Sequence, residues 1–319
     1  MVGMHSRCLT AVPLLDRVTL RAQGLTETEI RRRLSPAGDL VCVARGVYVD
    51  RSVWESAPDL DRHRLQARAA LRVVDTAAVV SHGSAAVVRD LATLRASRSS
   101  VHLTRPGLPR TKQRSGYVLH GGRLDADEVD TVAGLPVTTL GRTVADLARA
   151  DGLVAGLVVA DQTMRLELTR DELAKALDRQ HGLPGTACFG RLLAQADPGA
   201  DNPGETLARI LVTEVTAALG MGAPSTQFRV SDDERTAYAD LAVGHVLIEF
   251  DGRWKYARER PFGDGSTPEE VVWAEKTRED WLRSLGYVVV RLIWDDVWGA
   301  GRHRAAARLR AVLMREIRT

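Results

Sequence analysis

The first part of the chain has the apolar spacing of two short helices. Residues 14–22 are expected to form the first, and Ile30 and Leu34 are an i, i+4 apolar pair on one face of the second. Thr26 and Glu29 stand three residues apart ahead of that pair, which is the pattern of a capping box at a helix start. A Ser-Pro-Ala-Gly turn would end the second helix.

Two apolar runs follow, residues 40–44 and 46–49, and they predict strands on either side of a turn. Helices followed by a small hairpin are typical of a winged-helix module, so residues 1–57 are predicted to be a winged-helix DNA-binding domain. The second helix would lie in the major groove. The side chains expected near DNA are Arg31, Arg32, Arg33 and, at the tip of the wing, Arg45. The alternative is a protein-interaction domain with a solvated arginine face.

Residues 58–200 mix helical and strand patterns and are expected to form a mixed α/β middle domain. The neighbouring Ser81 and His82 raise the question of a hydrolase. No Gly-x-Ser-x-Gly elbow and no acidic partner accompany them, so we set that interpretation aside. Ser81 is instead expected to cap a helix through Leu91. Strands at residues 101–104 and 116–120 flank a basic loop, either solvated or in contact with phosphate, and helices are predicted at 61–74, 142–148, 153–166 and 170–178.

A segment rich in turn formers near position 200 introduces a third domain, residues 201–319. Its order of helix, hairpin, strand, helix, strand and helix predicts a mixed sheet. With this domain added, the predicted class of the whole chain is α/β, in an α+β multidomain arrangement. The predicted helices are residues 205–219, 268–285 and 302–317, and the predicted strands are 225–230, 235–243, 245–251 and 287–292.

Three carboxylates fall close together on the strands of this third domain. Glu249 and Asp251 are two residues apart and share one face of a strand, and Asp240 belongs to the preceding strand. Clustered carboxylates raise one another's pKa unless a cation intervenes, and Mg²⁺ prefers oxygen ligands. The pattern therefore predicts a metal site that activates water against a phosphodiester, with Lys255 or Lys276 stabilising the developing charge.

Glu249 also admits a structural interpretation, because it follows an apolar run and should be partly buried. A buried carboxylate needs a metal or a basic partner, and Arg278 or Arg291 could be that partner.

Aromatic and basic residues just after the carboxylates could contact nucleic acid. Trp254 lies between Arg253 and Lys255, and its ring could stack on an unpaired base or wedge into a duplex. The alternative is that this tryptophan belongs to the core or to an interface.

Charge is unevenly distributed along the chain. Residues 1–115 carry 19 Lys and Arg against 10 Asp and Glu, whereas the remaining residues carry 25 against 31. A basic start joined to an acidic remainder suggests a polyanion-binding module, unless the partition arose by chance. No run of 18 apolar residues and no signal-peptide pattern occur, so the protein is expected to be cytoplasmic without a membrane partner. Cys8, Cys42 and Cys188 are widely spaced, which fits a reducing compartment and offers no metal framework.

Several positions of the third domain match one nuclease pattern. They are Pro203-x-Glu205, Asp240, Glu249-x-Asp251-Gly252, Arg278, Leu282, Gly286 and Arg291. With them, about 115 C-terminal residues resemble the PD-(D/E)xK nuclease superfamily, in particular its branch of very-short-patch-repair (Vsr) endonucleases. The resemblance implies a restriction-endonuclease-like mixed sheet flanked by helices, and hydrolysis assisted by Mg²⁺ or Mn²⁺. The implied metal ligands are Asp240, Glu249 and Asp251, with Glu205 in support and Lys255 assisting the water.

The first two domains resemble the AbiEi family, the antitoxin and transcriptional-regulator side of type IV toxin–antitoxin systems. The likeness lies in the predicted winged helix, the motif Arg45-Gly46-Val47-Tyr48 and the Ser81–Ala86 helix start, a segment of sequence Ser-His-Gly-Ser-Ala-Ala. It implies DNA as a partner and a cognate toxin or another protein as a further one.

The nuclease pattern has two departures that keep two hypotheses open. Position 251 is Asp where the superfamily usually has Lys, and Lys255 stands where the Vsr branch commonly has histidine. A nuclease fold does not guarantee nuclease chemistry. The first hypothesis is a metal-dependent deoxyribonuclease, and the alternative is a non-enzymatic, antitoxin-like regulator with a degenerate nuclease fold.

Overall fold

The computed structural model describes residues 12–74, 77–94, 100–252 and 268–316. Over these residues the chain is mixed α/β with three sheets, which confirms the predicted class. It divides into two compact units, Met1–Ala196 and Asp197–Thr319. The winged-helix fold, the endonuclease fold and the division into three domains stay predictions. No helix in the described part is both long and apolar enough to cross a membrane.

The first unit begins with a three-stranded sheet and short helices. They are β1 Leu15–Asp16, α1 Arg17–Ala22, α2 Glu27–Arg33, β2 Leu40–Ala44, β3 Val47–Asp50 and α3 Arg51–Ser56, in the sheet order β1–β3–β2. The capping box at α2 is present, with the Thr26 hydroxyl accepting the Glu29 N–H and the Glu29 carboxylate accepting the Thr26 N–H. Ile30 packs in a buried cluster with Leu40 and Tyr48, which fixes α2 against the hairpin.

The prediction of a helix from residue 14 is wrong at its start. Leu15 and Asp16 pair with β3, and the Asp16 carboxylate then accepts the Thr19 N–H at 2.7 Å. Because Asp16 acts as the N-cap, α1 begins only at Arg17.

A six-stranded sheet with helices forms the rest of the first unit, in the order β6–β7–β5–β4–β9–β8. The elements are α4 Asp59–Val74, β4 Val79–Val80, α5 His82–Val88, β5 Val101–Pro106, β6 Lys112–Arg114, β7 Tyr117–Gly122, β8 Val129–Val132, β9 Leu135–Thr138, α6 Leu140–Asp151, α7 Leu153–Leu166, α8 Arg170–Asp178 and α9 Phe189–Gln195. Buried Val80, Leu103 and Val137 join one apolar core with the alanines of α4.

Two predictions for this region are wrong. The basic loop between the predicted strands contains β6, which pairs with β7 and lies on the edge of the sheet. The helix after Ser81 ends at Val88, and the Ser81 side chain makes no capping hydrogen bond. Its hydroxyl instead accepts a hydrogen bond from the Thr104 hydroxyl at 2.8 Å, because β4 and β5 are neighbours.

The second unit is built on a four-stranded mixed sheet in the order β10–β11–β12–β13. Its elements are α10 Pro203–Ala218, β10 Ser225–Ser231, β11 Thr236–Val243, β12 Val246–Phe250, α11 Pro268–Ser284, β13 Val288–Leu292, α12 Trp294–Trp298 and α13 Arg302–Glu316. The first three strands are antiparallel, and β13 pairs with β12 in parallel. Leu247 and Ile248 on β12 are fully buried, so the sheet and its helices share a core.

Candidate functional site

Asp240 and Glu249 lie across from each other on β11 and β12. Leu241 is paired with Ile248, so the next step of the antiparallel ladder places Asp240 opposite Glu249. Side chains directly opposite each other in such a ladder share one face of the sheet. Asp240 Oδ2 also accepts the Phe250 N–H at 2.7 Å, which ties this carboxylate to the end of β12.

Glu249 is held by two arginines. Arg278 Nη2 donates to Glu249 Oε1 at 2.6 Å and to the Tyr238 carbonyl at 3.0 Å. Arg291 Nε lies 3.9 Å from Glu249 Oε2, while its Nη2 bonds to acidic side chains of α11. Only 14% of the Glu249 side chain is exposed, and a carboxylate this buried needs a basic partner. The two arginines meet that need.

Burial raises the pKa of the Asp240 carboxyl and is the largest cause of the shift. The Phe250 N–H opposes it, and the negative charges of Glu249 and Asp201 raise the pKa further. Asp240 is thus a carboxyl crowded by other acids, a situation that a bound cation relieves.

The acidic pair opens into a cavity of about 510 Å³. All three predicted carboxylates, Asp240, Glu249 and Asp251, line it. Four basic side chains line it as well: Lys276, Arg278, Arg283 and Arg291. Three further acids line it too: Glu275, Glu279 and Asp280. The three arginines pair with carboxylates of the cavity, and Lys276 adds a fourth positive charge to the same space.

Glu205 lies at the start of α10 and does not line this cavity. Its carboxylate accepts the Asp201 N–H at 2.6 Å and a hydrogen bond from the Asn202 side chain, so it helps to order the loop before α10. The next residue back, Gly204, packs directly against the Phe250 ring, where a Cβ would come within 2.0 Å of Cε1. The helix start therefore supports the end of β12 through Phe250.

The donor set fits a hydrated Mg²⁺ only in part. Asp240 keeps one carboxylate oxygen beyond the bond to Phe250, and Glu249 faces it from the next strand. Mg²⁺ keeps several waters and often uses one or two protein carboxylates, so two suffice. Among the described residues, however, the oxygens of Asp240, Glu249 and Asp251 do not form a group in which every atom lies within 4.8 Å of the others.

Three of the predicted site residues, Lys255, Arg253 and Trp254, lie outside the described residues. Lys276, which the sequence offered as the other candidate amine, is exposed and lines the cavity.

The predicted DNA-contacting arginines differ in their availability. Arg31 and Arg32 are exposed near the end of α2, and Arg45 is exposed in the turn between β2 and β3. Arg33 is already engaged, because its Nε and Nη2 donate to the Asp39 carboxylate at 2.8 and 2.7 Å.

Asp201 does not line the cavity but influences it, and sequence reasoning missed it. It sits in the turn-rich segment before α10, yet its charge acts on Asp240. Its position four residues before Glu205 was the only signal, and spacing alone could not reveal its approach to β11.

The fold and site define a mixed α/β protein whose C-terminal unit carries a cavity with acidic and basic walls. No family model matches the chain. The chain is 26% identical over 288 residues to two Mycobacterium tuberculosis proteins, "Uncharacterized protein MT2308" (strain CDC 1551 / Oshkosh) and "Uncharacterized protein Rv2248" (strain ATCC 25618 / H37Rv). Each match covers 88% of this chain and 93% of the relative.

Among solved structures, the chain is similar to the crystal structure of RV2827C protein from Mycobacterium tuberculosis. The identity is 17% and the TM-score 0.42, over 64% of this chain and 79% of that one. A likeness this distant carries no argument about function.

Proposed function

We propose that this protein binds DNA and hydrolyses phosphodiester bonds at the Asp240–Glu249 pair, assisted by Mg²⁺ or Mn²⁺. The observation that carries the proposal is the position of the two carboxylates, opposite each other in a cavity with four basic side chains. This combination matches what in-line phosphoryl chemistry needs: ligands for a cation beside groups that hold a phosphate.

Five side chains of the cavity have roles in this proposal: Asp240, Glu249, Lys276, Arg278 and Arg283. Asp240 and Glu249 would hold the cation, which when bound polarises the phosphoryl oxygen and activates a water. Lys276 would stabilise the negative charge that develops on the phosphate. Arg278 positions Glu249 through their 2.6 Å ion pair. Arg283 on the same helix pairs with Glu279 and Asp280, and it would exchange those partners for the backbone of the nucleic acid.

The cleavage experiment uses the full chain with supercoiled plasmid and Mg²⁺ or Mn²⁺. We expect nicking that needs the metal and is abolished in Asp240→Asn and Glu249→Gln, and that falls by about a hundredfold in Lys276→Gln. Asp233→Asn is the matched control, because Asp233 is exposed in the same unit and does not line the cavity. Equal cleavage in all variants, or no cleavage of any nucleic acid tested, would reject the proposed nuclease activity.

The DNA-binding part of the proposal rests on the exposed Arg31, Arg32 and Arg45. Removing one arginine that neutralises a phosphate should lower the slope of log affinity against log salt by about 0.9. The double variant Arg31→Gln/Arg32→Gln should therefore bind more weakly and depend less on salt, measured by fluorescence anisotropy. Arg191→Gln, an exposed arginine of the same unit, is the control. An unchanged slope in the double variant would exclude α2 as the DNA-binding element.

The alternative is a DNA-binding regulator without catalysis, which the ion pair between Glu249 and Arg278 favours. In that case the cavity would hold a partner protein or a phosphate, and the AbiEi resemblance would imply a cognate toxin. Retained DNA binding without cleavage under any metal would support this alternative.

A further inference from the structure

Three histidines from separate elements meet on one face of the six-stranded sheet. His82 begins α5 directly after β4, His102 lies on β5 and His120 on β7. In the parallel β5–β7 pairing, Thr104 is opposite His120, so His102 and His120 share a face. His82 follows β4, the other neighbour of β5 in the sheet, and its ring reaches the other two from there.

The three rings offer one nitrogen each within 4.8 Å of the others. His102 Nδ1 lies 2.9 Å from His120 Nε2, and the His82 ring stacks on His120 with centroids 3.8 Å apart. A tetrahedral ion with bonds of about 2.0–2.1 Å holds its nitrogens about 3.3 Å apart, so metal binding requires the stacked His82 and His120 rings to turn toward a common centre. Over the described residues, no other group of three His, Cys, Asp or Glu side chains is arranged so closely.

Burial favours the form of imidazole that binds metals. His82 is buried, and His102 and His120 are half-buried. Burial disfavours a charged ring, and a neutral ring carries the lone pair that a ligand bond uses.

A buried carboxylate beside the cluster gives a second, independent indication. Asp146 on α6 is fully buried, and its Oδ1 accepts a hydrogen bond from Arg142 Nε at 2.9 Å. Its Oδ2 has no hydrogen-bond donor among the described residues and lies 3.8 Å from His82 Nδ1. An unsatisfied carboxylate oxygen is costly to bury, and a carboxylate beside a ligating histidine is the usual outer partner of a metal site.

The same groups do not form a serine-hydrolase relay. The Ser81 hydroxyl lies 2.9 Å from His82 Nδ1, the nitrogen that Asp146 also approaches. A relay needs the serine and the acid on opposite ring nitrogens, so this arrangement cannot pass a proton between them.

We propose that His82, His102 and His120 bind one divalent transition-metal ion, with Zn²⁺ as the preferred ion and Asp146 as the carboxylate that balances its charge. Imidazole ligands suit Zn²⁺, Co²⁺ and Ni²⁺ and not Mg²⁺, so this site differs in chemistry from the Asp240–Glu249 pair. Three protein ligands leave a fourth position for water or another small ligand. The half-buried His102 and His120 give that position a route to solvent.

The test measures metal binding by the full chain after chelator treatment, by titration calorimetry with Zn²⁺ and by the visible spectrum with Co²⁺. Wild type should bind one equivalent of Zn²⁺ and give the intense Co²⁺ bands of a tetrahedral site. His102→Gln and His120→Gln should each weaken binding by at least about tenfold and lose those bands. His181→Gln is the control, since His181 is exposed in the same unit.

The substitutions avoid His82, because its backbone φ of +53° at a helix start makes a folding defect the expected result there. Circular dichroism and the Tm without added metal check that each variant is folded, and the rise in Tm on adding Zn²⁺ should be smaller in both variants than in wild type. Equal affinity in wild type, both variants and the control would overturn the proposal. Folded wild-type protein that takes up no Zn²⁺, Co²⁺ or Ni²⁺ would overturn it too.

Discussion

Replacing Gly204 by alanine should displace Phe250 from its place beside the acidic pair. A Cβ on Gly204 would stand 2.0 Å from Cε1 and 2.1 Å from Cζ of the Phe250 ring, whereas nonbonded carbons rest about 3.5–4.0 Å apart. The ring must retreat by about 1.5 Å, and Trp294 meets it edge-on with centroids 5.2 Å apart. Overpacking of this kind costs about 1–3 kcal/mol, which exceeds the roughly 1 kcal/mol that alanine gains over glycine in a helix.

The assay is urea unfolding followed by tryptophan fluorescence, because five of the six tryptophans lie after residue 250. Gly204→Ala should lower the unfolding midpoint, and the loss should shrink in a Phe250→Leu background, where the ring is gone. A midpoint that stays the same or rises in Gly204→Ala would refute the reasoning. So would an equal loss in both backgrounds, since the two residues would then not be coupled.

Three further predictions concern ion pairs and the core. Arg278→Met should destabilise the second unit by about 1–3 kcal/mol, because it leaves the Glu249 carboxylate without its main partner. Adding Glu249→Gln should recover part of that loss, because the unpaired charge of Glu249 is then gone. Additive effects in a double-mutant cycle, measured by urea unfolding, would contradict the pairing. Leu103→Ala should cost about 2–5 kcal/mol because Leu103 is fully buried in the first unit, and a loss below about 1 kcal/mol would contradict that burial. The hydrogen bond from Arg33 holds the pKa of the Asp39 carboxyl below its usual value. The stability that this ion pair contributes is therefore present above about pH 4 and is lost as the pH falls through the lowered pKa. In thermal unfolding, Asp39→Asn should show a smaller loss of stability on the acid side.

Some elements could be predicted from the sequence because local signals mark their ends. The predicted helices at residues 153–166 and 170–178 agree with α7 and α8, where Gly152 (φ +88°) precedes one and a Thr169 capping box begins the other. The five-residue α12 and the four-residue β8 were not predicted. Runs this short carry too little periodicity to stand out, and partners distant in the chain stabilise them.

The candidate site could be predicted from the sequence only for residues whose position follows from the alternation of side chains along a strand or from burial. Glu249 and Asp251 were expected on one face of a strand because side chains alternate, and Glu249 was expected to need a metal or a basic partner because its strand is apolar. Asp201 and the three histidines could not be predicted in the same way. Their approach depends on which strands become neighbours, and no local pattern specifies the order of the six-stranded sheet.

The parallel pairing of β12 with β13 has a consequence for the synthesis of the protein. β12 pairs with β11 on one side and, on the other, with a strand that begins only at Val288. Until β13 has been made, the apolar run Val246–Phe250 would present an open edge, which is the kind of surface that recruits other chains. Fragments that stop before β13 should therefore aggregate, and during synthesis the edge of β12 stays unpaired until β13 has been made.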